Sequence, residues 1–237
     1  MRAMPRGPDL QRRLACHQAL HDPVREPRNG LRWLPELRRW QAARLQASFA
    51  RFLDDPRRAP AARFFLEDVY GDHDFTQRDA DIARVLPTMR RLLPHSLLET
   101  VGDGIALGSL THALDLRMAQ ALGELAPTGR RLDEYRYGEA YRRVGKPRLR
   151  ARQIALIDEV GRGLGAALRL PGVGVLLRVS RGPAHAAGLS EFQGFLERGV
   201  AAFKQLGDVD AFLDEIARSE HRIARRLRAG DPDPFRD

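Results

Sequence analysis

The 237-residue chain is 43% hydrophobic and 30% charged, an ordinary globular composition with length enough for one sizeable core. Its formal charge of +9 is carried almost wholly by arginine, because Lys146 and Lys204 are the two lysines; codon usage in a GC-rich genome gives that bias without a nucleic-acid partner. One cysteine, Cys16, excludes an intramolecular disulfide and a cysteine-built zinc site, and no window approaches the roughly 18 apolar residues of a membrane span.

β-Branched and aromatic residues are sparse beside Ala, Leu, Arg and Glu, which points to an all-α fold. Residues 1–30 are rich in Arg and Pro and lack the apolar run of a signal peptide, so they are read as a flexible arm with one short helical piece, Leu10 to Leu20. Residues 31–237 are read as a single helical domain, a compact bundle of about eight helices joined by short linkers.

The first helix is predicted from Leu34 to Leu53, with Ala42, Leu45, Phe49 and Phe52 on one face and Asp54-Asp55-Pro56 as its stop. A second runs from Pro60 to Tyr70 with Ala61, Phe64, Phe65 and Val69 inward. A turn at Asp72 to Thr76 opens a third, striped by Ile82, Val85, Leu86, Met89, Leu92 and Leu93, kinked at Pro87 and ended by Pro94. The fourth and longest, His95 to Leu125, aligns Leu107, Leu110, Leu114, Met118, Ala121 and Leu125, and Gly104 with Gly108 makes a notch for a neighbouring helix. Asp133 to Val144 and Arg148 to Leu170 follow; the glycines of Gly161-Arg-Gly-Leu-Gly165 are read as close-packing points, since no strand precedes them and no Lys-Ser/Thr follows. A short element spans Val173 to Ser180, a seventh helix Ala184 to Leu206, and an eighth starts at Asp208 and buries Phe212, Leu213, Ile216, Ile223 and Leu227.

Two polar groupings stand out. Glu67, Asp68, Tyr70, Asp72, His73, Asp74, Arg78, Asp79 and Asp81 crowd one turn. Carboxylates and an imidazole there could hold a divalent metal, but the spacing matches no metal motif. Acids favour the start of the third helix and Arg78 can pair with them, so the role is read as structural. His95, Glu99 and Asp103 lie at i, i+4 and i+8 in line with the buried stripe, and Glu220 lies between Ile216 and Ile223. Inward carboxylates need partners, either a metal held by His95, Glu99, Asp103 and Glu220 or one of the many arginines. His112 and Asp115, three apart, are read as an exposed or supporting pair.

The stretch from Arg63 to Asp81 resembles the signature of an uncharacterised all-helical family of bacterial proteins: an FFL-x-x-x-YG helix end, then D-F-x-x-R-D-x-D. Tyr141-Arg-Arg-Val-Gly145, Arg152-Gln-Ile-Ala-Leu156, Phe195-Leu-Glu-Arg-Gly199 and Gly230-Asp-Pro-Asp-Pro-Phe235 are similar too, so the resemblance spans about residues 33 to 235. It implies a cytoplasmic bacterial protein and carries over no activity.

No nucleophile elbow or other catalytic constellation is visible, so the leading expectation is a non-catalytic interaction or ligand-binding protein. A metal-dependent helical enzyme and an electrostatic nucleic-acid binder are the alternatives. No cofactor is implied, and a homodimer is left open.

Overall fold

A computed structural model of the chain describes residues 10–69, 95–129, 131–170, 172–186 and 190–236. Among the described residues there are ten α-helices and no strand. They are α1 (Leu10–His21), α2 (Trp33–Ser48), α3 (Ala50–Leu53), α4 (Ala59–Phe64), α5 (His95–Leu125), α6 (Glu134–Val144), α7 (Pro147–Leu168), α8 (Val173–Ala186), α9 (Ser190–Gln205) and α10 (Val209–Ala229). A 3₁₀ turn, Pro27–Gly30, joins α1 to α2, and α4 runs on into a π-helical turn, Phe65–Val69. The predicted third helix, with its stripe and its kink, lies outside the described residues.

Helix α5 is central, with α1, α2, α6 and α7 packed around it. That is why it buries Ile105, Leu116, Ala119 and Leu122 as well as Leu107, Leu114, Met118 and Ala121 of the predicted stripe. Local chemistry sets several ends. The Asp133 side chain accepts from the backbone N–H of Arg136 at the start of α6, and Asp208 accepts from Ala211 at the start of α10. Gly230, at φ 74°, closes α10 in the left-handed conformation that glycine tolerates. The predicted seventh helix begins later, at Ser190, because α8 runs past Ser180 to Ala186 through Pro183.

Helix α1 corrects the expectation of a flexible arm over its span. Leu10 is 1% exposed and packs with Leu14 against Ile105 of α5. It covers the short helical piece expected at Leu10 to Leu20, and its buried face is Leu10, Leu14 and His17, so a histidine stands where an apolar residue would have marked that face as core-facing. Of the two notch glycines, Gly108 receives α1: a Cβ built there would sit 3.1 Å from Cε1 of His17, whereas Gly104 faces open space. The close-packing reading of α7 also holds. A Cβ on Gly161 would come within 2.5 Å of Cδ2 of Leu213, one on Gly165 within 3.0 Å of Val209, and one on Gly163 would overlap Thr100.

Among the described residues two large apolar clusters result, beside the small one of Leu10, Leu14 and Ile105. One gathers Phe52, Phe64, Phe65, Phe203 and Phe212 with Leu45, Leu107 and Ile216. The other gathers Trp33, Leu37, Leu116, Met118, Tyr137 and Tyr141 with Ile223 and Leu227. Three helices pass from one cluster to the other: α2 between Leu37 and Leu45, α5 between Leu107 and Leu116, and α10 between Ile216 and Ile223. The residues in those intervals include the polar groups described next.

Candidate functional site

A seam of polar side chains lies along those crossings. Helix α2 contributes Arg38, Gln41 and Arg44, and α5 contributes Ser109, His112 and Asp115, each set spaced by three residues and so on one helical face. Two rungs join the helices: Nη2 of Arg38 donates to Nδ1 of His112 at 2.9 Å, and Nε2 of Gln41 donates to Asp115 at 3.2 Å. Trp33 at the start of α2 lies beside Gly123 near the end of α5, and Leu45 near the end of α2 shares a cluster with Leu107, so the two helices run antiparallel and the long Arg38 and Gln41 side chains cross to their partners. Helix α10 adds Glu220, which accepts from Arg44 at 2.8 Å.

The seam is buried where burial is costly. His112 is 3% exposed, Asp115 5% and Arg150 of α7 9%. Partners fix the His112 tautomer. Asn29 donates its amide to the carbonyls of Leu20 and Glu26, which leaves its Oδ1 to accept from Nε2–H of His112 at 2.8 Å, while Nδ1 accepts from Arg38. Burial, aided by the neighbouring His21 and Arg38, pushes the imidazole down to about 3, so it stays neutral. Burial pushes the Asp115 carboxyl up, opposed by Arg150, by the Gln41 hydrogen bond and by Arg38.

Above His112 stands a ladder of imidazoles. His21 stacks on His112 with centroids 4.0 Å apart, and His17 lies 4.2 Å from His21. Nδ1 of His21 donates to the carbonyl of His17 at 2.9 Å. His17 and Ser109 meet at 3.0 Å, the spacing of a base and a nucleophile, but the direction is wrong for activation. The Ser109 hydroxyl donates to the Ile105 carbonyl at 2.8 Å, so Oγ accepts from His17.

Arg150 anchors the other end. Its guanidinium carbon sits 5.1 Å from the centre of the Tyr141 ring, and its Nη1 donates to Gln153, whose amide donates to Thr111 of α5 at 2.8 Å. Nε and Nη2 of Arg150 are buried without a hydrogen-bond partner among the described residues. Buried charged donors left unpaired cost on the order of 1–3 kcal/mol or more each. Burial also pushes the Tyr141 phenol up, with Arg150 opposing.

The family model described as Domain of unknown function (DUF8198) matches residues 20–234. The chain belongs to that family. No curated protein and no solved structure matches it. The DUF8198 match takes in Asn29, Arg38, His112, Asp115 and Arg150, and its name assigns no activity.

In this DUF8198 chain the residues singled out by sequence are dispersed. His95 and Glu99 pair with each other at 3.4 Å on the exposed start of α5. Asp103 accepts from Arg13 of α1 at 3.1 Å, and Glu220 from Arg44 of α2. Among the described residues no three His, Cys, Asp or Glu side chains come together in a metal-holding group, so the proposed quartet is not one constellation. Arginine took the inward carboxylates because cationic side chains on the packed helices lie within reach. In the signature turn, Glu67 is exposed and Asp68 accepts from Arg198 of α9 at 2.7 Å; Tyr70, Asp74, Arg78, Asp79 and Asp81 lie outside the described residues. His112 and Asp115, expected as an exposed or supporting pair, are buried, so the exposed alternative falls. The signal that could have found the seam is the matched period of three in Arg38, Gln41 and Arg44 against Ser109, His112 and Asp115.

Proposed function

We propose that the protein is a non-catalytic ligand-binding protein whose binding seat is the polar seam between α2, α5, α6 and α7. One observation carries this reading: the fold gives up apolar packing along the border of its two clusters to bury Arg150 with two donors unmet. A purely structural seam would be expected to satisfy its charged groups. Binding is favoured over acid–base catalysis because both nitrogens of the buried imidazole are committed and the ring stays neutral near pH 7.

The surface argues against the electrostatic alternative, since arginines alternate with acids. Arg162 alone contacts Asp158, Asp210 and Asp214 at 2.5–2.9 Å, and Arg51 and Arg58 share Glu215. Among the described residues no helix is long and apolar enough to cross a membrane. A bacterial cytoplasmic setting fits the exposed, unpaired Cys16.

Native mass spectrometry with elemental analysis, on protein purified without metal-affinity tags or chelators, tests the reading. The expected result is a small-molecule mass of one per chain that is lost on denaturation. A bare mass, together with full stability of a variant that fills the seam with apolar residues and no change in any metabolite's retention, would overturn it. The same spectrum gives the oligomeric state.

A further inference from the structure

We infer that the seam's ligand is an oxyanion presenting two oxygens side by side, a carboxylate or a phosphate, gripped by the Nε–Nη2 edge of Arg150. The inference rests on the ligand-binding reading above and names the chemical class of its ligand.

The edge itself specifies the class. Nε–H and one N–H of Nη2 point the same way in the guanidinium plane, spaced to meet the paired oxygens of a carboxylate or phosphate. This chain uses that edge for that purpose repeatedly. Nε and Nη2 of Arg28 meet the two oxygens of Glu26 at 2.8 and 2.7 Å, and those of Arg181 meet Glu197 at 3.0 and 2.7 Å. At Arg143 and Arg198 the same two atoms converge on one oxygen of Glu124 and of Asp68. Those pairs lie at the surface or are only partly covered, where each is worth little. At Arg150 the edge is buried, so the same contact would be made at low dielectric, where it is strong.

The surroundings hold the guanidinium ready. Tyr141 covers a face and Gln153 holds Nη1, so the plane is set before a ligand arrives. Arg150 opposes the upward push that burial gives the Asp115 carboxyl, yet the two make no hydrogen bond, and burial is the larger influence. Among the described residues no carboxylate therefore meets this edge.

The test follows the Arg150 Nε–H proton by nitrogen–proton NMR of the whole protein during titration with sodium succinate, inorganic phosphate, neutral succinamide, and sodium chloride at matched ionic strength. The signal is assigned by its loss in Arg150→Lys and, should that variant not fold, by proton–proton contacts to the Tyr141 ring. Succinate or phosphate should move it saturably, whichever does so naming the oxyanion, while chloride and succinamide leave it in place. Arg150→Lys keeps the charge and loses the paired edge, and should bind the active probe at least about tenfold more weakly. An equal response to succinamide overturns the oxyanion class while leaving a ligand seat in the seam. Oxyanion binding that leaves the Arg150 signal unmoved overturns the assignment to that edge. If no probe moves any seam signal, the oxyanion inference falls, and if the native mass is also bare, so does the ligand-binding reading.

Discussion

Lowering the pH from 7 to 5 should destabilise the protein through His112. The fold holds this imidazole at about 3 against an ordinary 6.5, first through burial and then through like-charge repulsion from His21, Arg38 and His17. Because the folded value is the lower one, the unfolded chain takes up a proton first as the pH falls below 6.5. The penalty is therefore absent well above that value and grows as the pH falls toward 3. From these values the unfolded state gains about 2 kcal/mol at pH 5. Local opening of α1, whose outer face is exposed, readmits water and trims this to about 1–2 kcal/mol. Urea midpoints at both pH values, for wild type and for His112→Gln, measure it, since an amide can accept from Arg38 and donate to Asn29 without titrating. With a slope of about 3 kcal/mol/M, the wild-type midpoint should fall roughly 0.3–0.7 M further than that of the variant. Equal falls, or an NMR titration placing His112 at its ordinary value or above, would refute the reasoning.

Gly161→Ala should destabilise by about 1–2 kcal/mol in a thermal melt, because the added methyl meets Leu213, which is 1% exposed and has nowhere to move, and the overlap outweighs the gain in helix propensity. Gly108→Leu should lift α1 from α5, read as faster amide hydrogen exchange over residues 10–21 with little change in α7 and α10. Glu220→Gln should cost about 2 kcal/mol, or roughly 4–8 °C in melting temperature, by removing the carboxylate charge beside the largely buried Arg44; adding Arg44→Met should recover part of that loss. An unchanged melting temperature in Glu220→Gln would show that the pair contributes nothing.

The bundle was legible because its signals are local. Helix α5 spans His95–Leu125 as its apolar period indicates, and Asp133 and Asp208 stand at the N-caps of α6 and α10 where capping chemistry puts them. Helix α1 was legible as a short helical piece, but its docking on α5 was not, because His17 occupies a core-facing position and meets Ser109, a residue 92 positions away. The carboxylates misled for a related reason. Glu99, Asp103 and Glu220 share a stripe periodicity, but a side chain's direction on its helix does not name its partner, and Arg13 and Arg44 reached two of them.

The sequence by itself determined the helical class, the length of the central helix, the caps and the close-packing glycines, all of which depend on residues within a few turns of one another or on missing side-chain volume. Only the tertiary structure decided which polar residues are inside. The rungs from Arg38 to His112 and from Gln41 to Asp115 each close 74 residues of chain, and the unmet edge of Arg150 is defined by what the packed helices do not bring to it. Burial and electrostatic pairing are properties of the assembled helices, so the seam exists only once they are packed.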